Sequence, residues 1–272
     1  MGDWTPAERR FSELPARLVS AFILIPMALA AVWMGGWWLA AACAIFATIM
    51  MLEWCAMSAT PHHYLLAGLG GLFALSFPFE NLSVALAIGI AAFSLAALSA
   101  RAGVRTRIAA GFGIIYVFGM VAGLYHLREG PWEGRSAALY FMSFVWASDA
   151  AAYFFGRTFG GPKLLPRESP NKTWSGAIAA VIACAICGYF AAMIEDVDPL
   201  VWIVSGVAIS IVAQSGDLFE SGLKRRFKVK DSGKILPGHG GLLDRVDGLG
   251  AVSIAGSLAL SAIPGLAASL GL

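Results

Sequence analysis

The chain has 272 residues, of which 58% are hydrophobic and only 13% charged, with a mean hydropathy of +0.74. A soluble domain carries roughly 25% charged residues, so a soluble fold of this length is excluded, and a net charge of only +2 gives no basis for a nucleic-acid partner. Lipid solvates apolar side chains from outside, and the composition points to an integral membrane protein.

Met1 to Ser20 holds Asp3, Glu8, Arg9, Arg10, Glu13 and Arg17. That is too acidic, and too long before the first apolar run, for a cleavable signal. The run is expected as a retained span, with residues 1–17 a cytoplasmic segment. A spanning helix needs about 20 mostly apolar residues. Such windows fall near 18–34, 36–58, 63–79, 82–100, 108–127, 136–156, 173–194, 200–220 and 248–270. They predict an all-α polytopic membrane protein with about nine transmembrane helices. Residues 18–127 form its N-terminal helices, and residues 128–272 form the C-terminal helices that carry the site. The cysteines Cys43, Cys55, Cys184 and Cys187 all lie in apolar stretches and read as small buried residues. The nine Trp residues suit interfacial belts.

All the Lys and Arg residues except Arg128 and Arg135 fall in four segments. These are the N-terminal tail, Arg101 to Arg107, Arg157 to Lys172, and Lys224 to Arg245. Nine spans with the N-terminus inside put all four on one face. Positive loops stay in the cytoplasm, so that face is expected to be cytoplasmic, in the inner membrane.

Four features bring chemistry to that face. From Ser221 to Asp247 seven cations are interleaved with Asp231, Asp244 and Asp247, and Pro237, Gly238, Gly240 and Gly241 surround His239. Glycine lets backbone amides approach a ligand, and Lys and Arg bind phosphate. A plain positive-inside loop on anionic head groups explains the cations, but not the glycines around His239 or the aspartates that follow. At the end of the eighth span, Asp217 and Glu220 are three apart on one helix face, with Lys224 four beyond Glu220. Carboxylates oppose the dipole there and need cations: either Lys224 or a hard ion such as Mg²⁺. Asp149 is an ionisable residue inside the sixth span, a functional candidate or the structural partner of a cation. Ser169-Pro170-Asn171-Lys172-Thr173 precedes the seventh span, where a helix N-terminus attracts phosphate; the plainer reading is an N-cap at Ser169 or Asn171. Glu53, near the cytoplasmic end of the second span, has no role in this reading.

The run Ser221-x-Leu223-Lys224-Arg225, then after four residues Lys230-Asp231-x-Gly233-x-x-Leu236-Pro237-x-His239-Gly240-Gly241-Leu242-x-Asp244-Arg245-Val246-Asp247, resembles the signature of bacterial-type phosphatidate cytidylyltransferases. The segment from Ser169 to Thr173 and the surroundings of Asp149 are similar to that family too. The resemblance implies that CTP and phosphatidic acid give CDP-diacylglycerol and pyrophosphate, with Mg²⁺ and room for a second cation. It also implies membrane lipid around the protein and a homodimer. Metal ligands are expected first at Asp217 and Asp244, then at Asp149 and Glu220, with Asp247 a further ligand or orienter. Lys172, Lys224, Arg225, Lys230 and Arg245 are expected to hold phosphates, with Ser169, Asn171, Asp231, Gly240 and Gly241 lining the substrate and His239 donating to pyrophosphate or to a carboxylate. The nucleophile would be the lipid's own phosphate, so catalysis needs positioning and charge neutralisation and no protein nucleophile.

A transporter would place its polar groups at the midplane, whereas these gather at one face. An enzyme that consumes CDP-diacylglycerol would carry a paired D-G and A-R pattern followed by spaced aspartates, an arrangement this sequence does not show. A purely structural lipid-binding protein would not need Asp217, Asp244 and Asp247.

Overall fold

The computed structural model describes residues 22, 25–98, 103–233, 235 and 240–272; the expected cytoplasmic segment 1–17, Arg101 and His239 lie outside the described residues. In chain order the helices are α1 (Ile25–Met34, its described part), α2 (Gly36–Ser58), α3 (His63–Leu75), α4 (Leu82–Ala97), α5 (Val104–Glu129), α6 (Gly134–Phe159), α7 (Trp174–Glu195), α8 (Pro199–Arg226), α9 (Leu243–Ala262) and the single turn α10 (Leu266–Ser269). Helix thus stands at each place where the sequence is apolar over a span length, and the fold is an all-α polytopic membrane protein. Among the described residues α2, α5, α7 and α8 are long and apolar enough to cross a membrane by length and composition alone.

Two boundaries differ from the apolar windows for simple reasons. The third window breaks after Leu75 into a 3-10 turn, Phe77–Phe79, which contains Pro78; proline lacks the N–H that would continue the helix. The ninth begins at Leu243 and stops at Ala262, two residues before Pro264. Its first turn is polar, so a hydropathy window misses it.

The sequence reading also contained no strand. Between α6 and α7 a short antiparallel hairpin pairs β1 (Lys163–Leu165) with β2 (Ser169–Thr173), aligning Lys163 with Thr173 and Leu165 with Ser169. Gly160 and Gly161, at φ +60° and +101°, end α6 and turn the chain into it. Pro170 is tolerated because a two-stranded ribbon has a free edge. The hairpin takes Ser169 and Asn171 away from the helix end, so neither caps α7. Thr173 does, its Oγ1 accepting from the amide of Gly176 at 3.3 Å.

The helices pack in an order that gathers the polar segments at one end. α7 lies against α6 and α8, α5 against α2 and α9, and α8 against α9. Lipid offers no hydrophobic gain for helix association, so close backbone approach through small residues carries it. At the α7–α8 crossing, Gly188 meets the backbone of Trp202, and Gly206 meets the carbonyl of Cys184; a Cβ at either position would overlap. One core joins α2, α3 and α5 around Trp54 and Met51, where the Trp54 indole donates to Ala109 O at 2.9 Å. The other joins α6 to α9 around Trp202, whose indole donates to Leu270 O at 2.9 Å. Ile178, Ile182, Ile186 and Phe190 run along α7 at four-residue spacing, each more than half exposed. That is the stripe of a helix facing lipid. The cysteines are unpaired; three are buried and Cys187 is half-buried.

Candidate active site

The last two turns of α8 supply the centre. Spacings of three and four place Asp217, Glu220, Ser221 and Lys224 on one face. Glu220 is fully buried and Lys224 nearly so. The Lys224 ammonium lies 3.2 Å from Glu220 Oε1 and 2.6 Å from Asp244 Oδ1, joining the end of α8 to the start of α9. Tyr116 of α5 donates to the other Glu220 oxygen at 3.4 Å. Asp217 is ion-paired with Lys172, which β2 carries across, and accepts from Ser221 Oγ at 3.4 Å.

Asp244 is held from three directions. Besides Lys224, its carboxylate accepts from the amides of Ser232 and Gly241, each at 2.9 Å from Oδ2. Asp247, one turn on, accepts from Gly248 N at 2.7 Å and lies within electrostatic reach of Asp217, Lys224 and Lys172. Asp149 of α6 is exposed and feels the charges of Asp217, Lys172 and Arg245. The structure therefore brings together Asp149, Lys172, Asp217, Glu220, Lys224, Gly241, Asp244, Arg245 and Asp247 from four separate stretches of sequence. Their five carboxylates face three cations, a formal excess of two negative charges.

Such a cluster of oxygen donors matches in kind what a hard divalent cation takes. Lys172 and Lys224 occupy the carboxylate oxygens in this geometry, and among the described residues no three ligating side chains converge. Ion binding at Asp217 would require Lys172 to move, which its partly exposed side chain permits.

The other expected residues stand further out. Arg225 does not share the face of Lys224: it donates to Val229 O at 3.1 Å and, with Arg167 and Arg226, lines a groove of about 440 Å³ floored by Leu165, Phe219 and Leu223. Lys230 and Asp231 are exposed, although an added Cβ at Gly240 would sit 3.4 Å from Asp231 and 3.0 Å from Asp244. Ser169 and Asn171 lie on β2 beside Lys172.

Three residues escaped the sequence reading. Tyr116 is an aromatic residue in an apolar span, and nothing in its surroundings signals a carboxylate partner. Ser232 looks like an ordinary loop serine. Glu53 of α2 did carry a signal, a lone carboxylate within an apolar span. It is buried, and accepts from Ser232 Oγ at 3.2 Å and from the amides of Leu242 and Leu243 at 2.9 Å each.

Known proteins resemble the chain over most of its length. The profile of a family described as the cytidylyltransferase family matches residues 15–262. The phosphatidate cytidylyltransferase of Brucella suis biovar 1 (strain 1330) is 38% identical over 243 residues, which is 88% of this chain and 90% of that protein. The protein of the same name from Brucella abortus biovar 1 (strain 9-941) is 37% identical over the same length. That from Staphylococcus aureus (strain COL) is 44% identical over 140 residues, 51% of this chain and 54% of the other.

Proposed function

From the premise that the chain belongs to the cytidylyltransferase family and is a nucleotidyltransferase, we propose that it makes CDP-diacylglycerol from CTP and phosphatidic acid in phospholipid biosynthesis. A phosphate oxygen of the lipid attacks the α-phosphorus of CTP, the bond to the β-phosphate oxygen breaks, and pyrophosphate leaves. The observation that carries this reading is Lys224, buried between Glu220 and Asp244, at the centre of a cluster that has phosphate-binding cations and carboxylates but needs no nucleophile of its own.

The chain's own groups divide the work. Lys224 is fixed by two carboxylates and offers a pre-positioned ammonium to developing charge, which is where such stabilisation is most effective. Lys172 sits on a ribbon, not a helix, and can exchange Asp217 for a substrate phosphate. Arg245, exposed in the first turn of α9 and within electrostatic reach of Asp149, is a further cation for the phosphates of CTP. The amides of Ser232 and Gly241 hold Asp244 in one orientation.

Mg²⁺ belongs in this reading because a triphosphate and a phosphate monoester cannot gather at a cluster with excess negative charge unless divalent cations neutralise them. Asp217 is the first candidate ligand, with Asp244, Asp149, Glu220 and Asp247 around it and space in the charge balance for a second cation. The site lies at the cytoplasmic face of the inner membrane, where CTP is available and where the basic segments are expected. A homodimer belongs to the reading as well.

The test is pyrophosphate release by detergent-purified protein supplied with CTP, phosphatidic acid and Mg²⁺, each omitted in turn, with Asp244→Asn as the control. Release that requires all three and is lost in the variant supports the reading. Absence of release from monodisperse protein, across several lipids and metals, overturns it.

A further inference from the structure

Glu53 lies in α2, 179 residues before the first of its hydrogen-bond partners, and it meets the segment that carries Asp244 and Asp247. α9 needs something of this kind. The first amides of a helix have no partner within it, and the residue at the N-cap of α9, Leu242, has no side chain able to accept from them. Glu53 accepts from the amides of Leu242 and Leu243, one oxygen to each, both at 2.9 Å. It caps α9 from another helix, with a negative charge at the positive end of the helix dipole. The same carboxylate takes Ser232 Oγ at 3.2 Å, while Ser232 N is held by Asp244. Ser232 therefore bridges Glu53 and Asp244.

The loop is shaped around this carboxylate. A Cβ at Gly233 would lie 2.5 Å from Glu53 Oε1, and one at Gly241 would lie 2.8 Å from it. Those two glycines allow the backbone to close on Glu53 from both sides. Glu53 is itself only 3% exposed, so it is a fixed post and not a surface charge.

We infer that Glu53 is a positioning residue for the transfer reaction: by capping α9 and anchoring Ser232 it sets where the helix begins, and so where Asp244 and Asp247 point. This rests on the proposed cytidylyl transfer for its catalytic consequence, but its structural content stands apart from that. The partners of Glu53 are Ser232, Leu242 and Leu243 and not Lys224, so it acts through the two aspartates.

Glu53→Gln keeps the volume and removes the charge. Its amide turns one acceptor into a donor facing a backbone N–H or Ser232. In the purified full chain, kcat is expected to fall roughly a hundredfold, as displaced catalytic groups do, with KM for CTP changed by less than about threefold and the thermal unfolding profile retained. Hydrogen exchange at the amides of Leu242 and Leu243 is expected to quicken by about tenfold or more, while α7 exchanges as in wild type. Ser232→Ala, which removes only the bridge, is expected to cost less than about tenfold in kcat. Unchanged exchange at those two amides in Glu53→Gln overturns the inference, and so does a loss of activity matched only by loss of folded protein. If wild-type protein makes no CDP-diacylglycerol, the proposed function fails, and the exchange measurement alone still decides whether Glu53 sets the start of α9.

Discussion

Lys224 and Glu220 form an ion pair one helical turn apart in which the carboxylate is wholly buried and the ammonium also donates to Asp244 on the next helix. A buried pair of this kind contributes little net stability over apolar residues of equal volume, yet removing one partner leaves a charge with no compensation. Lys224→Met is therefore expected to destabilise the protein by about 3–5 kcal/mol. The double variant Lys224→Met/Glu220→Gln should recover part of that loss. Thermal unfolding in detergent, followed by tryptophan fluorescence, measures both. Equal melting temperatures for the single and double variants would show that Glu220 is not the charge left stranded.

Asp217 behaves differently, because its pair with Lys172 is about one-third exposed on the carboxylate side and 28% on the lysine side. Ion pairs of that exposure contribute roughly 0–1 kcal/mol. Asp217→Asn should accordingly melt close to wild type while losing about 10²–10³-fold in kcat, the usual scale for removing a group that acts on transition-state charge. Normal turnover in that variant removes Asp217 from the site.

The helices were legible because a span of apolar residues has one solution in lipid: backbone groups must pair within the segment. The spacing of Asp217, Glu220 and Lys224 was legible for the same reason, since it fixes them on one helix face. The hairpin was not legible, because it follows from the positive φ of Gly160 and Gly161 and not from any alternation in Lys163 to Thr173. Nor was the start of α9, whose cap comes from Glu53. Such partners are tertiary: the pairing of Lys172 with Asp217, like that of Glu53 with Leu243, depends on which helices pack together, which hydropathy does not report. Arg225 illustrates the converse error. It follows Lys224 in sequence and shares its chemistry, but one residue is about 100° of helix, and it faces the groove of Arg167 instead.

Chelation tests the metal. With EDTA, turnover should cease and return on adding Mg²⁺ in excess. Asp149 is exposed and adds one charge to the same cluster, so Asp149→Asn is expected to raise the Mg²⁺ concentration for half-maximal activity several-fold, about 1 kcal/mol of weakened binding on a scale where tenfold is about 1.4 kcal/mol. Activity titrated against free Mg²⁺ reads this directly. An unshifted titration would separate Asp149 from ion binding.

Gly241 tests the shape of the loop and not its charge. Its N–H donates to Asp244 at 2.9 Å, and a Cβ there would overlap Ser232 Oγ and approach Gly233 N to 2.7 Å and Glu53 Oε1 to 2.8 Å. Two of these neighbours cannot give way cheaply: Gly233 N is backbone, and Glu53 is fixed by its own three hydrogen bonds. Overpacking of this type costs about 1–3 kcal/mol. The relief open to the chain is to move residues 240–242 away from α2, which lengthens the bond from Gly241 to Asp244 as well as those to Glu53. Gly241→Ala should therefore lose activity out of proportion to its stability, with a melting temperature lowered by a few degrees on the scale of about 2–4 °C per kcal/mol for a chain of this size. If Gly241→Ala retains wild-type kcat, the loop accommodates the methyl without shifting Asp244, and the close fit around Glu53 is not what orients that carboxylate.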